Sequence, residues 1–232
     1  MSSRSSTSPV AVHPRSQAAW PAGQACRMLE DRGLPALALA WAAVVVVAVV
    51  GRLWQPEWNG VRLWNVTPLV AVALASGALF GNRFVAAAAP LVALAISNVF
   101  EPSYRSVVVA AAVYAASAWP VLLGGFVRRG GWLGVFGGAV ASSLVFFVVT
   151  NFAHWAVMGD YTLDWAGFVE CYRQALPFYR PIGDVVWSVA LFAGIAALTA
   201  VAGRFDAAFG GRPVHVRVPG AGASEAPQGR LD

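Results

Sequence analysis

The sequence contains no lysine, and charged residues of all kinds make up only 12% of its 232 residues. A soluble domain carries about a quarter charged residues, so this shortage argues against a water-soluble globular protein. All 16 cationic side chains are arginines, and they are spread between apolar runs. That distribution is typical of topology signals at membrane surfaces. We therefore expect no nucleic-acid partner.

Motifs for metal binding and catalysis are also lacking. The two cysteines, Cys26 and Cys171, show neither paired spacing nor a metal-ligand pattern, so we assign no disulfide and no metal. There is no metalloprotease helix with paired histidines, no nucleotide-binding glycine loop and no Gly-x-Ser-x-Gly elbow. We predict a protein that is not an enzyme and has no cofactor. An intramembrane enzyme using His154 ranks last among the alternatives, and active transport would need another subunit or an ion gradient.

Apolar residues dominate instead, at 58% of the chain, with a mean hydropathy of +0.63. Several runs reach membrane-spanning length almost free of charge, which predicts an all-α, polytopic membrane protein in contact with a lipid bilayer. We predict a bundle of six transmembrane helices. Their expected spans are 34–54, 67–81, 84–100, 106–127, 132–158 and 183–203.

The chain divides into a membrane domain, 34–203, and two polar tails. Residues 1–33 are rich in Ser, Pro, Ala and Arg, so we expect a disordered tail, and we expect a second flexible tail over 204–232. Six spans place both termini on one side of the membrane. Eight arginines near the spans fall on that side and five on the other, which favours cytoplasmic termini.

The connection between the last two spans contains an amphipathic segment, 161–179. Trp165, Phe168 and Tyr172 recur there at spacings of three and four, while Glu170 and Arg173 occupy the other face. This pattern predicts a helix that lies in the membrane interface. It either covers a binding site as a lid or rests on lipid.

Polar residues beside this segment are candidates for binding a small molecule, because polar groups are costly at membrane depth. Asn151 and His154 share one helix face, and Asp184 begins the last span. Each also has a structural alternative, an interhelical polar contact for Asn151 and His154 or a helix cap for Asp184. The full set of predicted binding residues is Asn65, Asn98, Asn151, His154, Trp165, Tyr172, Phe178 and Asp184.

The first span carries overlapping pairs of small residues four apart, which let helices approach closely. These candidate partner-docking residues are Ala36, Ala38, Ala40 and Ala42. A protein that used such a face only to hold a partner would be a membrane scaffold without transport activity. That scaffold is our second hypothesis.

The chain resembles a family of small bacterial membrane proteins of unknown function that are described as candidate transport proteins. That family is similar to the substrate-binding S components of energy-coupling factor transporters. The segments that carry the resemblance are NVTPLVAVALASGALFGNR from Asn65, PLVALAIS from Pro90, SSLVFFVVTNF with Trp155, Tyr161, CY at Cys171, ALPF from Ala175 and GD at Gly183. The chain departs from the family pattern at Asn98, where an Asp is expected.

The resemblance implies six helices in the bacterial cytoplasmic membrane and an outward-facing site for a vitamin-like ligand or a metal ion, although Asn98 weakens the case for a cation. It also implies that Ala36/Ala40 or Ala38/Ala42 docks to an energising transmembrane and ATPase module. The leading hypothesis is therefore a substrate-capture subunit of a transporter.

Overall fold

A computed structural model of the chain describes residues 20–54, 57–58, 61–62, 66–101, 104–179 and 181–209. Its helices are α1 (Pro21–Arg32), α2 (Leu34–Leu53), α3 (Leu69–Leu79), α4 (Arg83–Ser97), α5 (Val107–Ala118), α6 (Gly124–Val157), α7 (Trp165–Ala175) and α8 (Pro181–Phe209), with 3₁₀ segments at Trp119–Leu123 and Leu176–Phe178. A two-residue ladder pairs β1 (Glu57–Trp58) with β2 (Val61–Arg62). The predicted all-α class is confirmed.

Three helical stretches are long and apolar enough to cross a membrane: Leu34–Leu53, Val107–Val157 and Pro181–Ala208. Two shorter apolar helices, Leu69–Leu79 and Arg83–Ser97, lie between the first and second stretch. A single crossing needs about 20 helical residues, which α3 and α4 do not reach. The apolar helices fit a membrane protein, as predicted from the composition.

α3 is the centre of the fold. Its residues are buried on every side, except that Gly77 is only partly so, and it packs against α1, α2, α4, α5, α6 and α8. A helix that is apolar all round must be enclosed by other helices or by lipid. Here the neighbouring helices enclose it, so the fold is built around this short segment.

Glycines let the 3₁₀ segment after α5 and the start of α6 touch α3 directly. A Cβ atom on Gly77 would overlap the backbone of Val121, and one on Gly124 would overlap the backbone of Gly77. Only glycine permits such backbone contact. The sequence predicted one continuous helix over 106–127. The chain instead changes to 3₁₀ geometry at Trp119–Leu123, around the buried Pro120, where it meets α3.

α6 consists of two limbs that fold back on each other at Gly131. This residue has φ 57° and ψ −139°, a conformation that glycine tolerates and other residues rarely adopt. A Cβ on Gly138 would lie 3.5 Å from Cγ2 of Val127, so the two limbs lie side by side. The turn predicted at residues 128–131 is found here, with the reversal at its last residue.

The predicted disorder of residues 1–33 is wrong for α1. Ala22, Ala25 and Cys26 form a buried stripe on α1, which packs on α2, α3 and α8. The ring of Trp20 lies 5.5 Å from Phe192. The stripe was missed because two of its three residues are alanines, which carry little hydrophobic signal in a Ser- and Pro-rich tail.

The last helix is also longer than predicted. α8 begins at Pro181 and runs to Phe209, past the expected end at residue 203. Arg32 donates hydrogen bonds to Asp206 at 3.1 and 3.0 Å, which ties the ends of α1 and α8 together. The rest of the predicted tail lies outside the described residues.

Candidate functional site

A cavity of about 440 Å³ lies at the N-terminal end of α3, under α7 and beside the last part of α6. It brings together side chains from α2, α3, α5, α6, α7 and α8. Its lining residues are Arg52, Thr67, Leu69, Val70, Ser117, Ser143, Phe146, Phe147, Thr150, Asn151, His154, Tyr161, Cys171, Gln174, Ala175, Phe178, Tyr179 and Asp184. The mixture of rings, hydroxyls and a few charged groups is typical of a small-molecule site.

α6 contributes two of the predicted polar residues to this cavity. Asn151 donates from Nδ2 to the carbonyl of Phe147 at 2.7 Å, and among the described residues its side-chain oxygen has no partner. His154 lies one turn further on, and its Nε2 is 3.1 Å from Oδ2 of Asp160. The amide oxygen thus remains available to a ligand, while the imidazole is held by the loop that follows α6.

α8 contributes Asp184 from its first turn. The Ser143 side chain of α6 lines the same cavity, and Ser143 itself is almost fully buried. Four predicted residues, Asn151, His154, Phe178 and Asp184, therefore line one cavity. They come from three separate elements, so the fold places them together and sequence proximity does not.

α7 covers the end of α6 and is held there by its own loop and by hydrogen bonds. Asp164 caps α7 by accepting from the Gly167 N–H at 2.8 Å. The Tyr172 hydroxyl donates to the Val148 carbonyl at 2.7 Å, and the Trp155 indole donates to the Thr162 carbonyl at 3.0 Å. Because α6 is the helix on which α7 packs, α7 is attached to one wall of the cavity.

A polar network runs along α7 to the edge of the cavity. The Tyr161 hydroxyl donates to Gln174 at 3.0 Å, and Gln174 donates to Glu170 at 2.7 Å. Arg173 donates to Glu170 from two nitrogens, each at 2.7 Å. The hydrogen bonds from Arg173 and then Gln174 lower the pKa of Glu170 to about 2. This network stiffens α7 and connects it to the Tyr161 side of the cavity.

Cys171 is the cavity's only thiol in the described part of the chain. Burial, followed by the nearby Asp160 carboxylate, raises the pKa of Cys171 above its ordinary value. Since the thiolate is the nucleophilic form, Cys171 acts here as a small apolar wall residue. Its sulfur lies 3.6 Å from the carbonyl oxygen of Asn151.

The remaining predicted residues lie elsewhere. Trp165 is 76% exposed and stacks on Phe168, away from the cavity lining. The Tyr172 hydroxyl donates its hydrogen bond to the Val148 carbonyl of α6. Asn98 sits behind the wall, where its Nδ2 donates to the Tyr114 hydroxyl at 3.1 Å. Asn65 lies outside the described residues.

Sequence reasoning missed Arg52, which lines the cavity from the last turn of α2. Its Nη2 donates to Oδ1 of Asn98 at 3.0 Å. By its position between apolar runs, this arginine indicates only a topology signal. An arginine inside the last turn of an apolar span can face the bundle as well as the headgroups, and that position was the available clue.

The four candidate docking alanines of α2 differ in their exposure. Ala36 and Ala40 are partly buried, whereas Ala38 and Ala42 are exposed. Ala40 also lines an apolar groove of about 370 Å³ between α1, α2 and α8. The Ala38/Ala42 pair is therefore the one left open to a partner.

The fold and cavity define a class: an all-helical, membrane-type protein with a partly open cavity of small-molecule size. The chain belongs to DUF6580, a family of unknown function whose sequence model matches residues 34–207. The match begins with α2 and ends within α8, so it includes every cavity-lining residue and leaves out α1. Comparisons with curated proteins and with solved structures found no match.

Proposed function

We propose that the protein is a membrane-embedded capture subunit that binds a small molecule in the cavity beneath α7, in the manner of an S component. The observation that carries this proposal is the meeting of Asn151, His154 and Asp184 on one cavity. Polar groups at membrane depth are costly and are generally kept for a use. Three of them around one void are better explained by a ligand than by three separate structural contacts.

The size and lining of the cavity support this proposal. Its volume of about 440 Å³ falls in the range of about 300–1,000 Å³ that is usual for small-molecule sites. The rings of Phe146, Phe147 and Phe178 offer apolar area, and the Asn151 oxygen offers a directional acceptor. A lipid-facing surface would need none of these polar groups.

The proposal includes six membrane crossings with both termini in the bacterial cytoplasm. The six crossings would be formed, in chain order, by α2, α3, α4, the α5 segment with the first limb of α6, the second limb of α6, and α8. The enclosure of α3 supports its inclusion, because a helix shielded by neighbours can be shorter than the bilayer. The arginine distribution gives the direction.

An energising partner is part of the same proposal, since no ATP-binding motif is found in the sequence. Exposure of Ala38 and Ala42 on α2 supports docking on that pair. The scaffold alternative uses the same face without a ligand. Ala38→Leu would break a complex in both cases, whereas cavity substitutions would matter only for capture.

The test is native mass spectrometry of the full chain purified in mild detergent. We expect a reproducible small-molecule adduct on the wild type and its loss in Asn151→Ala and in Asp184→Asn. The matched control is Asp206→Asn, since this second aspartate of α8 is exposed and paired with Arg32 at the other end of the helix. Thermal unfolding of each variant checks that the fold is intact.

A clean apo protein that also shows no thermal shift with a panel of vitamins and nucleobases would contradict the capture role. An adduct that survives in both cavity variants would place the ligand elsewhere. In either case the membrane assignment would stand, because it depends on the apolar helices and not on the cavity.

A further inference from the structure

Arg52 forms no ion pair among the described residues. Their ion pairs are Arg32–Asp206, His154–Asp160 and Arg173–Glu170. The Arg52 guanidinium bonds to Asn98 through Nη2, and its Nε is buried without a partner. Arg52 is partly buried, and partial burial of a cation without a counter-ion is unfavourable. An anion placed in the cavity would relieve that cost.

Asn98 orients this cation without neutralising it. Its amide oxygen accepts from Arg52 at 3.0 Å, and its amide nitrogen donates to the Tyr114 hydroxyl at 3.1 Å. The two bonds fix which way the amide points. The Arg52–Asn98–Tyr114 chain therefore holds a charged, planar donor group at the cavity wall, which is the arrangement that binds carboxylates well.

The rest of the lining limits what the anion can be attached to. The same space is lined by aromatic rings from α6, from the segment after α7 and from the loop before α7. Aromatic walls favour ligands with a flat, apolar ring system. These rings belong to Phe146, Phe147, Tyr161, Phe178 and Tyr179. Asp184 also lines the cavity, so a second acidic group on the ligand would meet a carboxyl group there.

We infer that the ligand is an aromatic or heteroaromatic monocarboxylic acid whose carboxylate is bound by Arg52. This inference rests on the proposed capture function and gives its substrate class. The Asn151 oxygen then accepts a hydrogen bond from a donor on the ring system. Neutral amides of the same shape bind more weakly because they carry no charge for Arg52. Diacids bind more weakly because their second acidic group meets the Asp184 carboxyl group.

The probes are matched pairs: indole-3-acetate with indole-3-acetamide, and benzoate with phthalate. Binding is measured on the full chain in detergent by thermal shift and by isothermal titration calorimetry. We expect the monocarboxylates to bind and their amide or diacid partners to bind at least about tenfold more weakly. In Arg52→Gln we expect the carboxylate affinity to fall by at least about thirtyfold.

Two further variants keep the test decisive. Arg52→Lys preserves the positive charge but not the paired N–H donors of the guanidinium, so this variant should bind the carboxylates with intermediate affinity. It remains informative even if Arg52→Gln folds poorly. Arg32→Gln removes a cation at the opposite end of the bundle and should bind like the wild type.

Equal affinity for indole-3-acetate and its amide overturns the inference, as does unchanged carboxylate affinity in the Arg52 variants. Failure of all four probes to bind also overturns it. None of these results contradicts the capture role, which the native mass spectrometry adduct decides separately. A co-purified adduct that proves to be a neutral molecule or a cation would keep the capture role and reject the acidic ligand.

Discussion

The two ends of α3 lie in opposite surroundings. At its N-terminal end, Leu69 and Val70 face a cavity with polar walls. At its C-terminal end, Gly77 meets the backbone of Val121 and Gly124, and α1 closes the bundle. We call the first region the cavity end and the second, made of α1 with Gly77, Val121 and Gly124, the closed end.

The comparison shows how one fold holds both a site and the stability that the site requires. A buried donor without a partner, such as Nε of Arg52, lowers stability, and a cavity has fewer packing contacts. The closed end has backbone-to-backbone contacts and buried alanines, which give dense packing. We therefore expect substitutions at the closed end to affect stability and those at the cavity end to affect ligand binding.

The largest effect is expected from Gly124→Ala at the closed end. The added Cβ would overlap the backbone of Gly77, and backbone cannot move aside as a flexible side chain can. Overpacking usually costs about 1–3 kcal/mol, and we expect the upper part of that range here. The measurement is the midpoint of thermal unfolding in detergent.

Gly194→Ala is the matched control, because a Cβ on this α8 glycine meets nothing within 4 Å. Alanine is also the better helix former by up to about 1 kcal/mol, so the midpoint should stay or rise slightly. Equal destabilisation by the two substitutions would show that the closed end is not specially packed.

Much of this fold follows from the sequence because apolar runs without charge can only be helices in a membrane-type protein. The first span was predicted within one residue, from 34 to 54 against Leu34–Leu53. The change to 3₁₀ geometry at Pro120 and the position of α1 were not predictable in this way. Both depend on contacts with α3 that no local pattern encodes.

The cavity was predictable where polar residues interrupt an apolar run. Asn151 and His154 stand out for that reason, and three-residue spacing places them on one helix face. Amphipathic periodicity groups Trp165 and Tyr172 with them, but Tyr172 is bonded to α6 and Trp165 is 76% exposed. Phe168, between them in sequence, packs on the aromatic end of α6, 5.4 Å from Trp155. Periodicity identifies a packed face without identifying what it packs against.

The same substitution at the two ends should give a smaller but clear contrast. Trp20→Ala removes a ring that lies 5.5 Å from Phe192 and 5.9 Å from Trp132. Replacing a fully buried tryptophan with alanine costs about 3–5 kcal/mol, and because Trp20 is partly exposed we expect a loss of about 2 kcal/mol. Trp165→Ala removes a ring that is 76% exposed and should cost less than about 1 kcal/mol.

Thermal unfolding measures both losses, and ligand titration adds a second readout. Neither tryptophan lines the cavity, so the adduct should bind to both variants with unchanged affinity. Weaker binding in Trp165→Ala would show that α7 acts on the ligand through its exposed face.

The smallest expected effect is the loss of stability of α7 as the pH falls. The pKa of Glu170 is lowered from 4.5 to about 2 by hydrogen bonds from Arg173 and Gln174. Because the folded-state pKa is below the ordinary value, the carboxylate stabilises α7 above pH 4.5, and this contribution is lost as the pH falls towards about 2. The carboxyl ¹³C shift of Glu170, assigned with Glu170→Gln, reports this titration directly.

Arg173→Ala should move the pKa of Glu170 back towards 4.5, since it removes the largest cause of the shift. Arg105→Ala, an exposed arginine before α5, should leave that titration unchanged and controls for general charge effects. If Glu170 titrates in the wild type as it does in Arg173→Ala, the polar network on α7 is not formed in solution. The cavity end would then rest on the Tyr172 and Trp155 hydrogen bonds to hold α7 against α6, and opening of α7 would cost correspondingly less.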